Sequence, residues 1–110
     1  MWLHIRVMDL TLHAISDPTR RDLLTRLRES GPLSVSELAS PLPMTRQAVT
    51  KHLDVLEQAG LVERQHLGRE RLHTARPEPL REVVDWLTPW EEEWDDRLAK
   101  LKKHLEGDDA

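Results

Sequence analysis

Apolar residues recur with helical spacing along the first sixty positions and then change rhythm. Met8, Leu12 and Ile15 fall four and three apart, which predicts a short first helix with one apolar face. Ser16-Asp17-Pro18-Thr19 breaks it: Ser16 or Asp17 can cap orphan backbone N–H groups, and Pro18 suits the first turn of a new helix. Leu23, Leu24 and Leu27 carry that second helix to Gly31-Pro32. Ser34 and Glu37 have capping-box spacing, so a short third helix with Val35, Leu38 and Ala39 on its apolar side starts here. Pro41 and Pro43 end it. Thr45 can cap a fourth helix running to about Ala59, where Gly60 supplies the left-handed conformation that stops helices. Val49, Leu53 and Leu56 form its buried stripe, with Arg46, Gln47, Thr50, Lys51 and Asp54 on the opposite side.

From position 61 the elements shorten. Residues 61–67 and 71–75 have strand character and flank Gly68-Arg69-Glu70, which predicts a β-hairpin. Beyond Pro77 and Pro79 helical spacing returns at Leu80, Val83, Val84, Leu87, Trp90, Trp94, Leu98, Leu101 and Leu105. Thr88-Pro89-Trp90-Glu91 combines a cap, a first-turn proline and a capping-box glutamate, so a kink or a fresh start is expected at Thr88. The expected fold is mainly α with a small β-hairpin wing: a winged helix-turn-helix with a long C-terminal dimerisation helix. It is expected as a single domain over residues 1–110, with a DNA-binding core at 10–76, a wing at about 61–75 and the terminal helix at 77–106.

Composition narrows the chemistry. A chain of 110 residues suits one core and leaves no room for a separate catalytic domain. The absence of cysteine closes disulfide and thiolate metal sites. No run of eighteen apolar residues or signal-peptide layout is present, so a cytoplasmic protein without membrane contact is expected. The net charge of −4 looks unsuited to DNA until it is divided. Residues 1–76 carry 11 basic and 9 acidic side chains, net +2, and residues 77–110 carry 5 and 11, net −6. Because salt screens charge beyond roughly 8 to 10 Å, an acidic tail does not cancel a basic face elsewhere.

A helix fits the major groove, so base reading falls to the polar face of the fourth helix. Arg46 suits guanine, Gln47 suits adenine, Thr50 can meet thymine or an acceptor, and Lys51 suits phosphate. The plainer alternative is a solvated amphipathic face. Arg64, Arg69 and Arg71 are expected to cluster about the hairpin tip, within reach of a minor groove or the flanking backbone, unless Glu63 and Glu70 pair with them. Arg20 and Arg21 can touch phosphate from the second helix or pair with Asp17 or Asp22.

Residues 14–21 (AISDPTRR), 33–39 (LSVSELA), 45–53 (TRQAVTKHL), 56–62 (LEQAGLV) and Gly68-Arg69-Glu70 together resemble successive signatures of the ArsR/SmtB family of winged-helix repressors, over roughly residues 10–105. The resemblance implies that Thr45, Arg46, Gln47, Thr50, Lys51 and His52 occupy a DNA-reading helix and Gly68 and Arg69 a wing tip. It also implies a repressor released by an inducer, here an unknown small molecule. Where that family's metal sensors place two cysteines this chain has Ser34 and Ser36, and hydroxyls bind soft metals poorly. His104 near Asp108 is half of a second metal pattern, which His4 and His13 can extend. The cysteine site is absent and the second pattern is incomplete, which leaves open a weak site of His4, His13 or His104; no metal or cofactor is expected, and the chain is similar to the non-metal branch.

Reading an operator half-site by half-site needs a dimer. Met8, Leu12, Ile15, Trp90, Trp94, Leu98 and Leu101 are the expected seam, with Trp86 in the monomer core. Two other readings stand beside the dimeric DNA-binding repressor: a winged-helix adaptor that binds proteins and not DNA, and a metal-responsive repressor. No glycine-rich phosphate loop or catalytic triad order supports an enzyme.

Overall fold

The computed structural model describes the backbone of residues 2–108 and the side chains of residues 7–107. The order is α1 (Trp2–Ile15), α2 (Pro18–Ser30), α3 (Val35–Ala39), α4 (Arg46–Gln58), β1 (Val62–Leu67), β2 (Glu70–Ala75) and α5 (Leu80–Asp108). Four helices, a hairpin and a long terminal helix make the winged helix-turn-helix arrangement.

Local signals set most boundaries. Asp17 caps α2 by accepting from the Arg20 N–H, with Pro18 at the first position. Ser34 and Glu37 close both halves of the capping box on α3. Thr45 caps α4 through the Ala48 N–H at 3.1 Å. Gly60 follows α4 with φ 76, and a β-carbon there would stand 3.3 Å from Cγ of Pro79, so the corner also keeps the approach to α5 close.

Leu23, Leu27, Leu38, Val49, Leu53, Leu56 and Leu61 are fully buried and form one core between α2, α3, α4 and the hairpin base. On α1 the buried pair is Thr11 and Ala14, while Met8 and Ile15 are half-buried and Leu12 is exposed. A hydrophobic pattern passes over Thr11 because it is polar, but its hydroxyl donates to the Val7 carbonyl at 3.0 Å and so satisfies itself within the helix.

Two expectations about α5 are corrected. No fresh helix starts at Thr88: α5 runs unbroken through Pro89, and the Thr88 hydroxyl, rather than capping, donates back to the Val84 carbonyl at 2.7 Å. Trp86 does not enter the monomer core either. It is 52% exposed and lies against Trp90 with ring centroids 5.9 Å apart, while Val83 takes the inward position. α5 packs on α1 and continues past it, giving the molecule a longest dimension of 69 Å against 36 and 22 Å. No helix among the described residues is long and apolar enough to cross a membrane.

Candidate nucleic-acid interface

The segment from α3 to α4 positions the candidate reading surface. Arg26 of α2 donates from Nη1 to the Leu38 carbonyl at 2.7 Å and from Nη2 to the Glu37 carbonyl at 3.1 Å, tying the end of α3 to α2. Residues 40–45 then turn the chain so that α4 buries Val49, Leu53 and Leu56 and leaves Thr45, Arg46, Gln47 and Lys51 exposed, with Thr50 half-buried beside them. Among the described residues Arg46 and Lys51 make no side-chain hydrogen bond or ion pair. The first half of the outward face therefore carries two unpaired cations and no anion.

The second half of that face carries Asp54 and Glu57, and here the expected role of Arg64 is corrected. Arg64 does not sit at the hairpin tip. It stands opposite His73, near the hairpin base, and its Nη2 donates to Asp54 at 3.2 Å and to Glu57 at 2.9 Å. The pairing spans ten and seven residues of sequence and no short motif announces it. Its effect is to neutralise two carboxylates on the outward face of α4 and to fasten the wing to that helix.

The tip itself is a two-residue turn, shorter than expected because Glu70 already pairs with Leu67 in the ladder. Gly68 has φ 64 and Arg69 has no positive φ, the signs of a type II′ turn, which needs glycine in the first central position. Arg69 and Arg71 are exposed there, without side-chain partners among the described residues. Glu63 pairs with Arg76 rather than with a tip arginine.

Arg20 and Arg21 are engaged within the protein, and among the described residues neither forms the expected pair with Asp22. Arg20 donates from Nε to the Ala14 carbonyl at 2.7 Å and from Nη2 to the His13 carbonyl at 3.0 Å, and Arg21 donates from Nη1 to the Ile15 carbonyl at 2.8 Å. Both donate to carbonyls in the last turn of α1, His13's also accepting from the Ser16 N–H and hydroxyl. His52 is half-buried on α4, its Nδ1 3.3 Å from Nη1 of Arg20 and 3.9 Å from Oδ2 of Asp17. Asp17 is held below the usual carboxylate value, first by the Arg20 backbone N–H and with help from the charges of His52 and Arg20, against a smaller opposing effect of burial.

The expected seam residues divide by position. Trp90, Trp94, Leu98 and Leu101 are exposed along α5, and Val84, Leu87 and Leu105 extend that stripe. Among the described residues no three histidines, aspartates or glutamates converge as a metal site would require; the side chain of His4 lies outside them. Ser34 is engaged in its cap. A cavity of about 630 Å³ opens between α2, β2 and the start of α5, lined by Leu24, Leu27, Ala75, Pro77 and Leu80 with Thr25 and Thr74.

Comparison with known proteins places this geometry. Residues 15–65 match the model of a helix-turn-helix domain family. The chain is 43% identical over 75 residues to the HTH-type transcriptional regulator Rv2034 of Mycobacterium tuberculosis, covering 68% of this chain and 69% of that protein. It is 39% identical over 82 residues to the HTH-type transcriptional regulator YuzN of Bacillus subtilis, covering 69% and 89%. An ArsR-like transcriptional regulator from Rhodococcus superposes with a TM-score of 0.69 at 39% identity, over 90% of this chain and 92% of that one.

Proposed function

Because the chain belongs to the ArsR family of helix-turn-helix transcriptional regulators and is a DNA-binding regulator of transcription, we propose that it acts as a homodimeric repressor of a palindromic operator. In this reading each protomer lays the first half of α4 in a major groove, where Arg46, Gln47 and Thr50 meet base edges and Thr45 and Lys51 the backbone. Arg69 and Arg71 reach the flanking DNA from the wing, with Gly68 shaping the tip. Arg64 is left out of the contact set, since its guanidinium is committed to Asp54 and Glu57. The observation that carries the reading is this distribution of charge: free cations at the start of α4 and at the wing tip, and carboxylates on the same face already paired.

Dimerisation is supported by the exposed apolar stripe of α5 together with Met8, Leu12 and Ile15 of α1. Pairing these faces sets two reading helices on one side of a duplex, about 34 Å apart when the half-sites are one helical turn apart. A dimer seated on a promoter blocks polymerase, and release falls to a small-molecule inducer, for which the cavity beside α2, mostly apolar with Arg28 at its lining, is a candidate site. Family membership favours binding over catalysis.

The test is selection of duplexes from a randomised library, followed by affinity measurements across a salt series. The expected result is a two-fold symmetric site, two chains per duplex, and an affinity that falls steeply with salt as counterions are released. Selection of no duplex, or binding indifferent to salt, favours the adaptor. Loss of binding on adding zinc favours the metal-responsive repressor.

A further inference from the structure

We propose that Arg20 is a positioning residue for DNA binding: its guanidinium fixes the ring of His52 on the reading helix to the last turn of α1 and holds that ring in the Nε2–H tautomer. The proposal rests on the operator-binding reading and adds to it a residue that touches no DNA.

A guanidinium has five N–H donors, no acceptor and a permanent charge. Of its three contacts, those to Ala14 and His13 are to carbonyl oxygens at the end of α1. The third brings Nη1 within 3.3 Å of Nδ1 of His52. Since Arg20 can only donate, the ring nitrogen accepts, and the proton of the neutral imidazole stands on Nε2. Asp17 does not compete for Nδ1: at 3.9 Å its carboxylate is beyond hydrogen-bond reach and is taken up by the Arg20 backbone N–H at 3.0 Å.

One planar fork thus bridges two helices with different tasks. α1 carries Met8 and Leu12, proposed for the seam, and α4 carries the reading face. A displacement of α1 against α4 by about 1 Å stretches one set of these bonds past useful length. A lysine cannot replace this, because an ammonium on a flexible stem does not present a rigid fork to three acceptors. The fixed tautomer leaves Nε2–H as the donor that His52 offers from the reading helix, and only a donor can serve a phosphate oxygen.

The experiment uses the parent, Arg20→Lys and Arg20→Gln, with thermal unfolding to establish folding. Long-range proton–nitrogen spectra of the histidine rings at about pH 8, where an ordinary imidazole is neutral, report the tautomer in the free protein. Affinity is measured across a salt series for a duplex that the parent selects from a randomised library. The parent is expected to show His52 as Nε2–H and both variants a mixture, with affinity lowered roughly three- to thirtyfold and an unchanged salt slope. A slope reduced by about 0.9 in Arg20→Gln would make Arg20 a phosphate contact instead. A parent with the proton on Nδ1, or an Arg20→Lys variant matching the parent in both readouts, overturns the proposal. Should Arg20→Gln not fold, Arg20→Lys is compared with and without His52→Ala: coupling requires its cost to vanish in the His52→Ala background, and an undiminished cost refutes the link. If the parent selects no duplex, the operator reading is what fails, while the tautomer spectra still decide whether Arg20 holds the ring.

Discussion

Leu33 and His73 exchange a pair of backbone hydrogen bonds, from the Leu33 N–H to the His73 carbonyl at 3.1 Å and from the His73 N–H to the Leu33 carbonyl at 2.8 Å. This isolated bridge ties the linker between α2 and α3 to the second strand of the wing. His73 is only 2% exposed and its Nδ1 lies 3.3 Å from the same Leu33 carbonyl. Burial pushes the imidazole below its ordinary value of 6.5, and the charge of Arg64 adds to this; the Leu33 carbonyl, Glu57 and Asp54 act the other way without reversing it.

The sign of the pH dependence follows. Above pH 6.5 His73 is neutral folded and unfolded, so its burial carries no protonation cost. As the pH falls below 6.5 the unfolded chain takes up a proton that the folded chain refuses, and stability declines until the lower folded pKa is passed. Urea unfolding midpoints should therefore drop between pH 7.5 and 5.5, and His73→Gln should flatten that drop. Asp17 acts in a separate window, since stability from its lowered pKa is lost only as the pH falls below its usual 3.8. Equal declines in the parent and His73→Gln would show that another group is responsible.

Arg64→Ala tests the masking of the reading helix. It exposes the charges of Asp54 and Glu57 on the proposed DNA face. Two carboxylates at about 10 Å from phosphates in water cost together about 1 kcal/mol, a loss of roughly fivefold in affinity that grows at low salt. Stability should change little, by about 1 kcal/mol or less, because both pairs are partly exposed. Adding Asp54→Asn and Glu57→Gln to Arg64→Ala should restore most of the affinity. A triple variant as weak as the single one would mean that Arg64 acts through wing position or direct contact and not through charge.

In the proposed reading, base contacts and backbone attraction separate on α4. Arg46→Ala and Gln47→Ala are expected to relax preference at one base position each, with a loss of about 1 to 3 kcal/mol on the selected site and little loss on others. Lys51→Ala is expected to weaken every duplex alike and to lower the salt slope by about 0.9. Competition assays with single-base variants of the selected duplex distinguish the two patterns. If all three variants rank those duplexes as the parent does, the reading face lies elsewhere.

What the sequence made legible is what acts within three or four residues. The caps at Asp17, Ser34 and Thr45, the box between Ser34 and Glu37, and the glycine in the wing turn are all observed where their spacing predicts them. The groups that position the interface are not local. Arg64 finds its carboxylates ten and seven residues back, and Arg20 meets His52 across 32 residues. An arginine in a strand looks the same whether it reaches solvent or a neighbouring helix. Thr88 misled for a related reason: its hydroxyl can cap a new helix or bond back to the preceding turn, and packing along α5 decides between them.

The apolar stripe of α5 supplies the last prediction. A helix of 29 residues extends roughly 43 Å, about twice the length of the 14-residue α1 that it packs on, and its far end has no cover among the described residues. Leu98, Leu101 and Leu105 keep helical spacing there and remain half or more exposed or close to it, Leu101 at 53%. Burying a leucine contributes about 1.5 to 3 kcal/mol, and two-fold symmetry counts each position twice. A single Leu101→Glu places two carboxylates in that seam. Sedimentation equilibrium at micromolar concentration is expected to give a dimer for the parent and a monomer for Leu101→Glu, with the parent's melting temperature alone rising with concentration. Binding to the two-fold site should then fall far more than binding to an isolated half-site, because only the dimer engages both grooves at once. A parent that sediments as a monomer, or a Leu101→Glu variant that remains a dimer, would mean that this face is not the seam.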